Sequence, residues 1–221
     1  MKKLIALALA LVMVAALFAG CGEAKAPETT VPTLSEQEKL VGTWKGEMDI
    51  TDDIKEGMGE EMENLDLDKL LVTVIFTVTE EGAYTLKIDE ESMSAAMDTL
   101  LEAMRGYMKT AMETEAQAAG MTADQMLSAL GMTMDEFVDA MLDAIKDMDL
   151  GGEIAKQVKA QGKCQAEEGK IYISDSVDTD PDQSVYFSYT LEGDVLTLTE
   201  RAGIEEDDEI LIFPVILKKA A

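Results

Sequence analysis

The sequence predicts an α+β protein, with an eight-stranded antiparallel β-barrel that carries an inserted helical subdomain of about three helices. Apolar and polar residues alternate over residues 40–90 and again from residue 163, which is typical of half-buried strands. Over residues 90–148, Ala, Met, Leu and Glu replace the β-branched residues, which favours helices. Three strands before the helices and five after them fit a small closed barrel.

The strands follow from this alternation and from the turn residues between them. Gly82, Gly169 and Gly193 lie between neighbouring runs, as expected for hairpin turns. Pro214 falls inside the last run, which indicates an edge position or a bulge. The acidic segment 51–69 is interpreted as a loop with a short helix. The predicted strands are 40–50, 71–79, 83–88, 163–167, 170–174, 185–191, 195–200 and 209–217.

The helical region begins with a long amphipathic helix. Its apolar residues recur every three or four positions, which predicts one stripe along a helix of roughly 25 residues. The stripe consists of Met93, Met97, Leu100, Leu101, Met104, Met108 and Met112.

A short internal repeat follows, in which residues 120–130 align with residues 131–141. Thr122 and Thr133 are predicted N-caps of two further helices, because each is followed three residues later by Gln or Glu, as in a capping box. Gly151 and Gly152 are expected to end the last helix. The segment 153–160 fits either a final helical turn or a connector.

The N-terminus has the pattern of an export signal, with Lys2 and Lys3 before an apolar run that ends at Cys21. Leu17-Phe18-Ala19-Gly20-Cys21 resembles the lipobox of bacterial lipoproteins, with Phe18 in place of the usual Leu. The resemblance implies cleavage before Cys21 and lipidation of its thiol. It therefore implies an extracytoplasmic protein anchored by palmitate-type chains to the bacterial cell membrane. We expect a signal peptide at 1–20, a flexible tether at 21–39 and a folded domain at 40–221, with the helical insertion at 90–160.

The first predicted strand carries a second resemblance. Gly42-Thr43-Trp44 resembles the Gly-x-Trp motif of lipocalins and their lipocalin-like bacterial relatives, and residues 189–198 are similar to a late hairpin of those bacterial domains. The resemblance implies that Gly42 and Trp44 pack at one closed end of the barrel. It also implies that a basic residue, either Lys218 or Lys219, packs on the indole. Ordinary lipocalins lack the helical insertion.

Composition excludes several classes of function. The chain has 18 basic and 45 acidic residues, a net charge of −27, so we expect no nucleic-acid partner. It has no histidine and two cysteines, which excludes a Ser-His-Asp or Cys-His site and a His- or Cys-only zinc site. A non-catalytic protein is expected. A carboxylate enzyme that works without histidine stays as an alternative, although no spacing singles out its residues.

The methionine stripe is the candidate binding surface. Met97, Leu101, Met104 and Met108 are predicted to form an apolar ligand or lid face, since methionine suits adaptable apolar contacts. Plain core packing and a copper(I) thioether site are the alternatives. The expected function is binding of a small apolar ligand, or of an envelope partner, at the barrel mouth. A structural or interaction lipoprotein with a filled barrel is the alternative.

Two further features have weaker patterns. Asp178, Asp180 and Asp182 alternate as at the start of a calcium loop, but Gln183 stands where such a loop needs Gly and Tyr189 where it needs Glu. Only a weak Ca²⁺ site is therefore considered, and no other cofactor is expected. Cys164 is either a redox thiol or a small core residue.

Overall fold

Eight strands form one closed antiparallel barrel in which each strand pairs with the next in the chain and the last pairs with the first. The computed structural model describes residues 34–59, 65–203 and 211–220. The barrel predicted from the alternation is confirmed. Its strands are β1 (Gly42–Asp49), β2 (Leu71–Val78), β3 (Ala83–Ile88), β4 (Ala160–Glu167), β5 (Lys170–Ile173), β6 (Asp182–Glu192), β7 (Val195–Ala202) and β8 (Val215–Lys219).

The helical insertion joins β3 to β4, as predicted. Two shorter helices flank β1, one before it and one after it. None of the helices in the described residues is both long enough and apolar enough to cross a lipid bilayer. The helices are α1 (Glu36–Leu40), α2 (Thr51–Met58), α3 (Glu90–Ala118), α4 (Ala123–Leu127), α5 (Met134–Lys146) and α6 (Leu150–Gln157), with a 3-10 turn at Ser128–Leu130.

The predicted capping boxes are confirmed. Thr122 and Thr133 each accept a hydrogen bond from the backbone N–H three residues later, and the Gln125 and Glu136 side chains bond back to the capping residues. Gly131 ends the 3-10 turn with a left-handed φ of 68°, which glycine adopts without strain.

The insertion differs from the prediction at its C-terminal end. About three helices were predicted, whereas residues 90–157 contain four α-helices and a 3-10 turn. Gly151 and Gly152 do not end a helix but lie in the first turn of α6, which Asp149 caps. Packing overrides the low helix propensity of glycine here. A Cβ on Gly151 would lie 2.9 Å from Cγ of Met97, so glycine lets α6 approach α3 closely.

Two segment boundaries also differ. The last strand was predicted at 209–217, but β8 spans Val215–Lys219. Pro214 directly precedes β8, because proline has no backbone N–H to donate to a neighbouring strand. Residues 36–39, assigned to the tether, form most of α1, so the folded part begins earlier than expected. The proposed signal peptide, Cys21 and the tether up to residue 33 lie outside the described residues.

Buried side chains line the barrel interior. Inward-facing residues from most strands are fully buried, and β4 adds the buried Cys164. The largest fully buried side chains of the strands are Trp44, Phe76, Phe187, Ile171, Leu196, Leu198, Leu217, Val72 and Val74.

The two barrel ends have different covers. The Trp44 end contains the start of β1 and the helix α1, which packs against β4. It also contains the hairpin turns at 79–82, 168–169 and 193–194. At the opposite end, called the insertion end, β1 leads into α2 and β3 leads into α3. There the N–H of Thr73 on β2 donates a 2.8 Å hydrogen bond to Oγ of Ser92, which ties the start of α3 to the barrel.

Candidate functional site: an apolar cleft at the insertion end

Trp44 closes the end of the barrel that α1 covers. Its indole Nε1 donates a 2.7 Å hydrogen bond to the carbonyl of Leu40, and both residues are fully buried. Lys219, rather than Lys218, packs on the indole, with Nζ 5.1 Å from the ring centroid. Gly42 has a φ of 129°, and a Cβ there would lie 3.0 Å from Cε of Lys219. The glycine therefore leaves room for the lysine beside the indole.

Polar contacts dock α1 on the barrel rim. Oε2 of Glu36 accepts hydrogen bonds from the Tyr189 hydroxyl at 2.9 Å and from the N–H of Gly169 at 3.2 Å. Gln37 accepts from the N–H of Ala166 at 2.8 Å and donates to Sγ of Cys164 at 3.6 Å. Burial raises the pKa of the Cys164 thiol, so it stays protonated near neutral pH. These contacts place Cys164 in the core and count against a redox role.

Replacing Glu36 with glutamine is expected to lower the melting temperature at neutral pH by less than about 4 °C, since the site is only partly buried and solvent screens it. The hydrogen bond from Gly169, followed by that from Tyr189, lowers the pKa of Glu36 below its ordinary 4.5. A lowered folded-state pKa adds stability above pH 4.5 that is lost as the pH falls further. Thermal unfolding of both proteins across this range measures the effect.

The difference between wild type and Glu36→Gln should shrink below pH 4.5 and vanish once Glu36 is protonated. Glu167→Gln is the matched control, because Glu167 is an exposed carboxylate on the neighbouring β4 with no bonded partner among the described side chains. A gap between wild type and Glu36→Gln that stays constant across the range contradicts the linkage.

An apolar cleft of about 560 Å³ lies at the insertion end, between α2, α3 and the start of α6. Its walls are mainly aliphatic and thioether side chains, and its rim carries Asp53, Ser94, Asp98, Lys146 and Asp149. The apolar lining residues are Ile54, Met58, Met97, Leu100, Leu101, Met104, Ile145, Met148, Leu150 and Ile154.

The structure brings three of the four predicted stripe residues to this cleft. Met97, Leu101 and Met104 line it, and Met108 does not. The stripe divides along α3, because Met93 and Ala96 are buried in the barrel core while Met97 and Met104 are only partly buried. The partly buried part of the stripe therefore forms the wall of a cleft, and Met97 also packs against the barrel core.

Two interactions hold the walls of the cleft together. Gly151 lets α6 lie directly against Met97, as described above. At the rim, Nζ of Lys146 on α5 lies 2.8 Å from Oδ1 of Asp98 on α3.

Ile54 and Met58 line the cleft from α2, a helix with no fully buried residue. Sequence reasoning missed the α2 wall, because residues 51–69 were interpreted mainly as a loop.

The predicted calcium residues do not converge. Asp180 pairs with Nζ of Lys163 at 3.1 Å, and Asp182 accepts a hydrogen bond from the N–H of Ser184 at 2.8 Å. Within the residues that the structure describes, no group of three or more acidic or cysteine side chains is placed to hold a metal ion. The weak Ca²⁺ candidate is therefore dropped.

Comparisons with protein-family models, with curated proteins and with solved structures find no match. The function is accordingly argued from the geometry and chemistry of the site.

Proposed function

We propose that this chain is a lipid-anchored, extracytoplasmic binding protein without catalytic activity, which holds a small apolar ligand in the cleft between α2, α3 and α6. The cleft itself is the observation that carries the proposal. Its volume of about 560 Å³ lies within the range of small-molecule sites, and its walls are predominantly apolar.

The lining indicates the chemistry of the ligand. Met97 and Met104 have flexible, polarisable side chains that adapt to apolar molecules of different shapes. The rim carries three carboxylates, Asp53, Asp98 and Asp149, against one cation, Lys146. An anionic headgroup would face this negative rim. The proposed ligand is therefore a neutral apolar molecule.

Lys146 and three rim carboxylates are the titratable groups that line the cleft. The hydrogen bond to Asp98 raises the pKa of Lys146, so its amine stays protonated at neutral pH. The chain contains no histidine that could act in its place. The predominantly apolar walls support binding, which is the function that we propose for this cleft.

The test compares two methionines of the same helix. Met104→Gln places an amide in the apolar wall and is expected to weaken binding of Nile red, a neutral apolar fluorophore, by roughly 5- to 100-fold. Met108→Gln is the matched control, because Met108 belongs to the same stripe but lies outside the cleft. Fluorescence titration of the full chain gives both affinities. Equal effects of the two variants, or no binding by the wild type, contradict the proposal.

Native mass spectrometry of the protein purified from its host membranes supplies an independent readout. A bound neutral lipid-like mass that is lost in Met104→Gln and kept in Met108→Gln supports the proposal. An empty cleft in the wild type counts against it.

An envelope partner is the second candidate function. Met148 and Leu150 lie at the lip of the cleft and are 64% and 47% exposed. Exposed apolar side chains at one place are a common feature of protein-binding surfaces. Photo-crosslinking from position 148 in cells tests this reading. Crosslinks to one protein together with an empty cleft favour the partner over the small ligand.

A further inference from the structure

A second cavity, of about 590 Å³, lies at the barrel mouth and shares no residue with the apolar cleft. Its wall is formed by barrel side chains, by the start of β4 and by the β5–β6 loop. Charged and polar groups form a larger part of this wall than of the cleft wall. Its lining includes Tyr84, Lys159, Gln161, Ser174, Asp175 and Arg201.

A β-bulge turns Arg201 into this cavity. Leu196 and Leu198 of β7 are buried inside the barrel, so strict alternation would place residue 200 inside as well. The register between β6 and β7 shifts instead, and Arg201 lies opposite the buried Phe187. Glu200 points to the exterior, where it accepts a 2.7 Å hydrogen bond from Oγ of Ser188. Bulges of this kind commonly re-aim a side chain at a functional site.

The Arg201 guanidinium lies over the Phe187 ring, with Cζ 5.7 Å from the centroid. Its Nε is buried and has no hydrogen-bond partner, and no ion pair joins Arg201 to any other described side chain. Arg105 differs, because Asp139 and Glu102 both bind it. Leaving a buried donor without a partner costs stability. Among the described residues, Arg201 therefore offers this cavity an open donor for a ligand.

Asp175 supplies the opposite charge at the same cavity. Two other carboxylates that line it are engaged, Asp180 by Lys163 and Asp182 by Ser184. Asp175 forms no ion pair with the described lysines and arginines, Arg201 included. Between these charges, Tyr84 donates a 3.1 Å hydrogen bond to the carbonyl of Ser174. Burial raises the pKa of Tyr84 to about 12. The positive charge of Arg201 acts to lower this pKa, and the negative charge of Asp175 acts to raise it.

We propose that this cavity binds a small zwitterion of the α-amino-acid type, with its carboxylate on Arg201 and its ammonium group on Asp175. The two opposite charges line one cavity without pairing to each other, so a molecule that carries both charges can satisfy them together. A zwitterion has no net charge, and the −27 charge of the chain therefore does not repel it as it would an anion. This site is independent of the apolar cleft.

The binding test uses the free standard α-amino acids as probes, with the full chain monitored by thermal shift and calorimetry. At least one amino acid is expected to bind. Its methyl ester lacks the carboxylate and its des-amino acid lacks the ammonium group, and each should bind roughly 10- to 100-fold more weakly. No binding by any amino acid, or equal binding of the des-amino acid, overturns the proposal.

Two variants test whether Arg201 and Asp175 bind the charged groups of the amino acid. Arg201→Met and Asp175→Asn are each expected to weaken amino-acid binding by roughly 10- to 100-fold. Asp178→Asn is the matched control, because Asp178 lies in the same loop but does not line the cavity. An equal loss of affinity in Asp178→Asn, or full affinity in Asp175→Asn, overturns the assignment.

The melting temperatures of two arginine variants distinguish an arginine that binds a ligand from one that stabilises the fold. Arg201→Met removes a charge that forms no ion pair within the described part of the chain, so its melting temperature should equal or exceed that of the wild type without ligand. Arg105→Met removes a paired arginine and should melt at a lower temperature than the wild type. A drop in Arg201→Met as large as that in Arg105→Met would show a structural role and overturn the proposal.

Discussion

Replacing Trp44 with alanine is expected to lower the free energy of unfolding by about 3–5 kcal/mol, the usual cost of removing a large aromatic side chain from a packed core. Trp44 is fully buried, and its Nε1 donates to the carbonyl of Leu40. The ring also lies beside Nζ of Lys219 on β8. The substitution therefore removes core packing at the closed end, a contact with α1 and a contact with the last strand together.

Urea unfolding followed by far-UV circular dichroism measures the effect, because the chain has one tryptophan and the variant loses that fluorescence. Trp44→Phe is the matched variant. It keeps an aromatic ring but leaves the buried Leu40 carbonyl without this donor, which should cost about 1–3 kcal/mol. A loss below about 1 kcal/mol in Trp44→Ala would show that the indole does not anchor this end.

Replacing Cys21 with alanine is expected to abolish acylation completely. The resemblance of residues 17–21 to a lipobox places lipid attachment on this thiol. Each buried CH₂ of an acyl chain contributes about 0.8 kcal/mol to membrane binding, so two or three chains anchor a protein durably. Metabolic labelling with palmitate in a bacterial host, followed by intact-mass analysis, measures the modification.

Cys164→Ala is the matched control, because Cys164 is the other cysteine of the chain and is buried in the core. Label should be present in the wild type and in Cys164→Ala and absent from Cys21→Ala. Label that persists in Cys21→Ala, or a wild type that carries none, contradicts the lipoprotein proposal.

Much of the fold could be predicted because short antiparallel strands have a period of two and are joined by tight turns. The hairpin of β2 and β3 was predicted to within one residue, since both its alternation and its Gly82 turn are local signals. The last strand was misplaced, because one of its two partners, β1, lies far from it in the chain and closes the barrel only in the tertiary structure. The position of α6 was missed because Gly151 serves a contact with Met97 that lies 54 positions away in sequence.

The candidate site could be predicted only in part. Met97, Leu101 and Met104 share a helix face, and the helical period alone groups them. Their position on a cleft required α2 and α6, whose walls come from distant parts of the chain. Arg201 was not predicted as an inward residue, because a bulge interrupts the alternation and no local pattern announces it.

The sequence by itself determined the alternation of the strands, the helix caps, the charge, the absence of histidine and the predicted lipidation site. Each of these depends on residues within a few positions of one another or on composition. Tertiary structure decided which side chains are buried in the barrel, that an apolar cleft lies beside it and that Arg201 and Asp175 line one cavity. These features arise from strand register and helix packing, which depend on contacts between residues far apart in the chain.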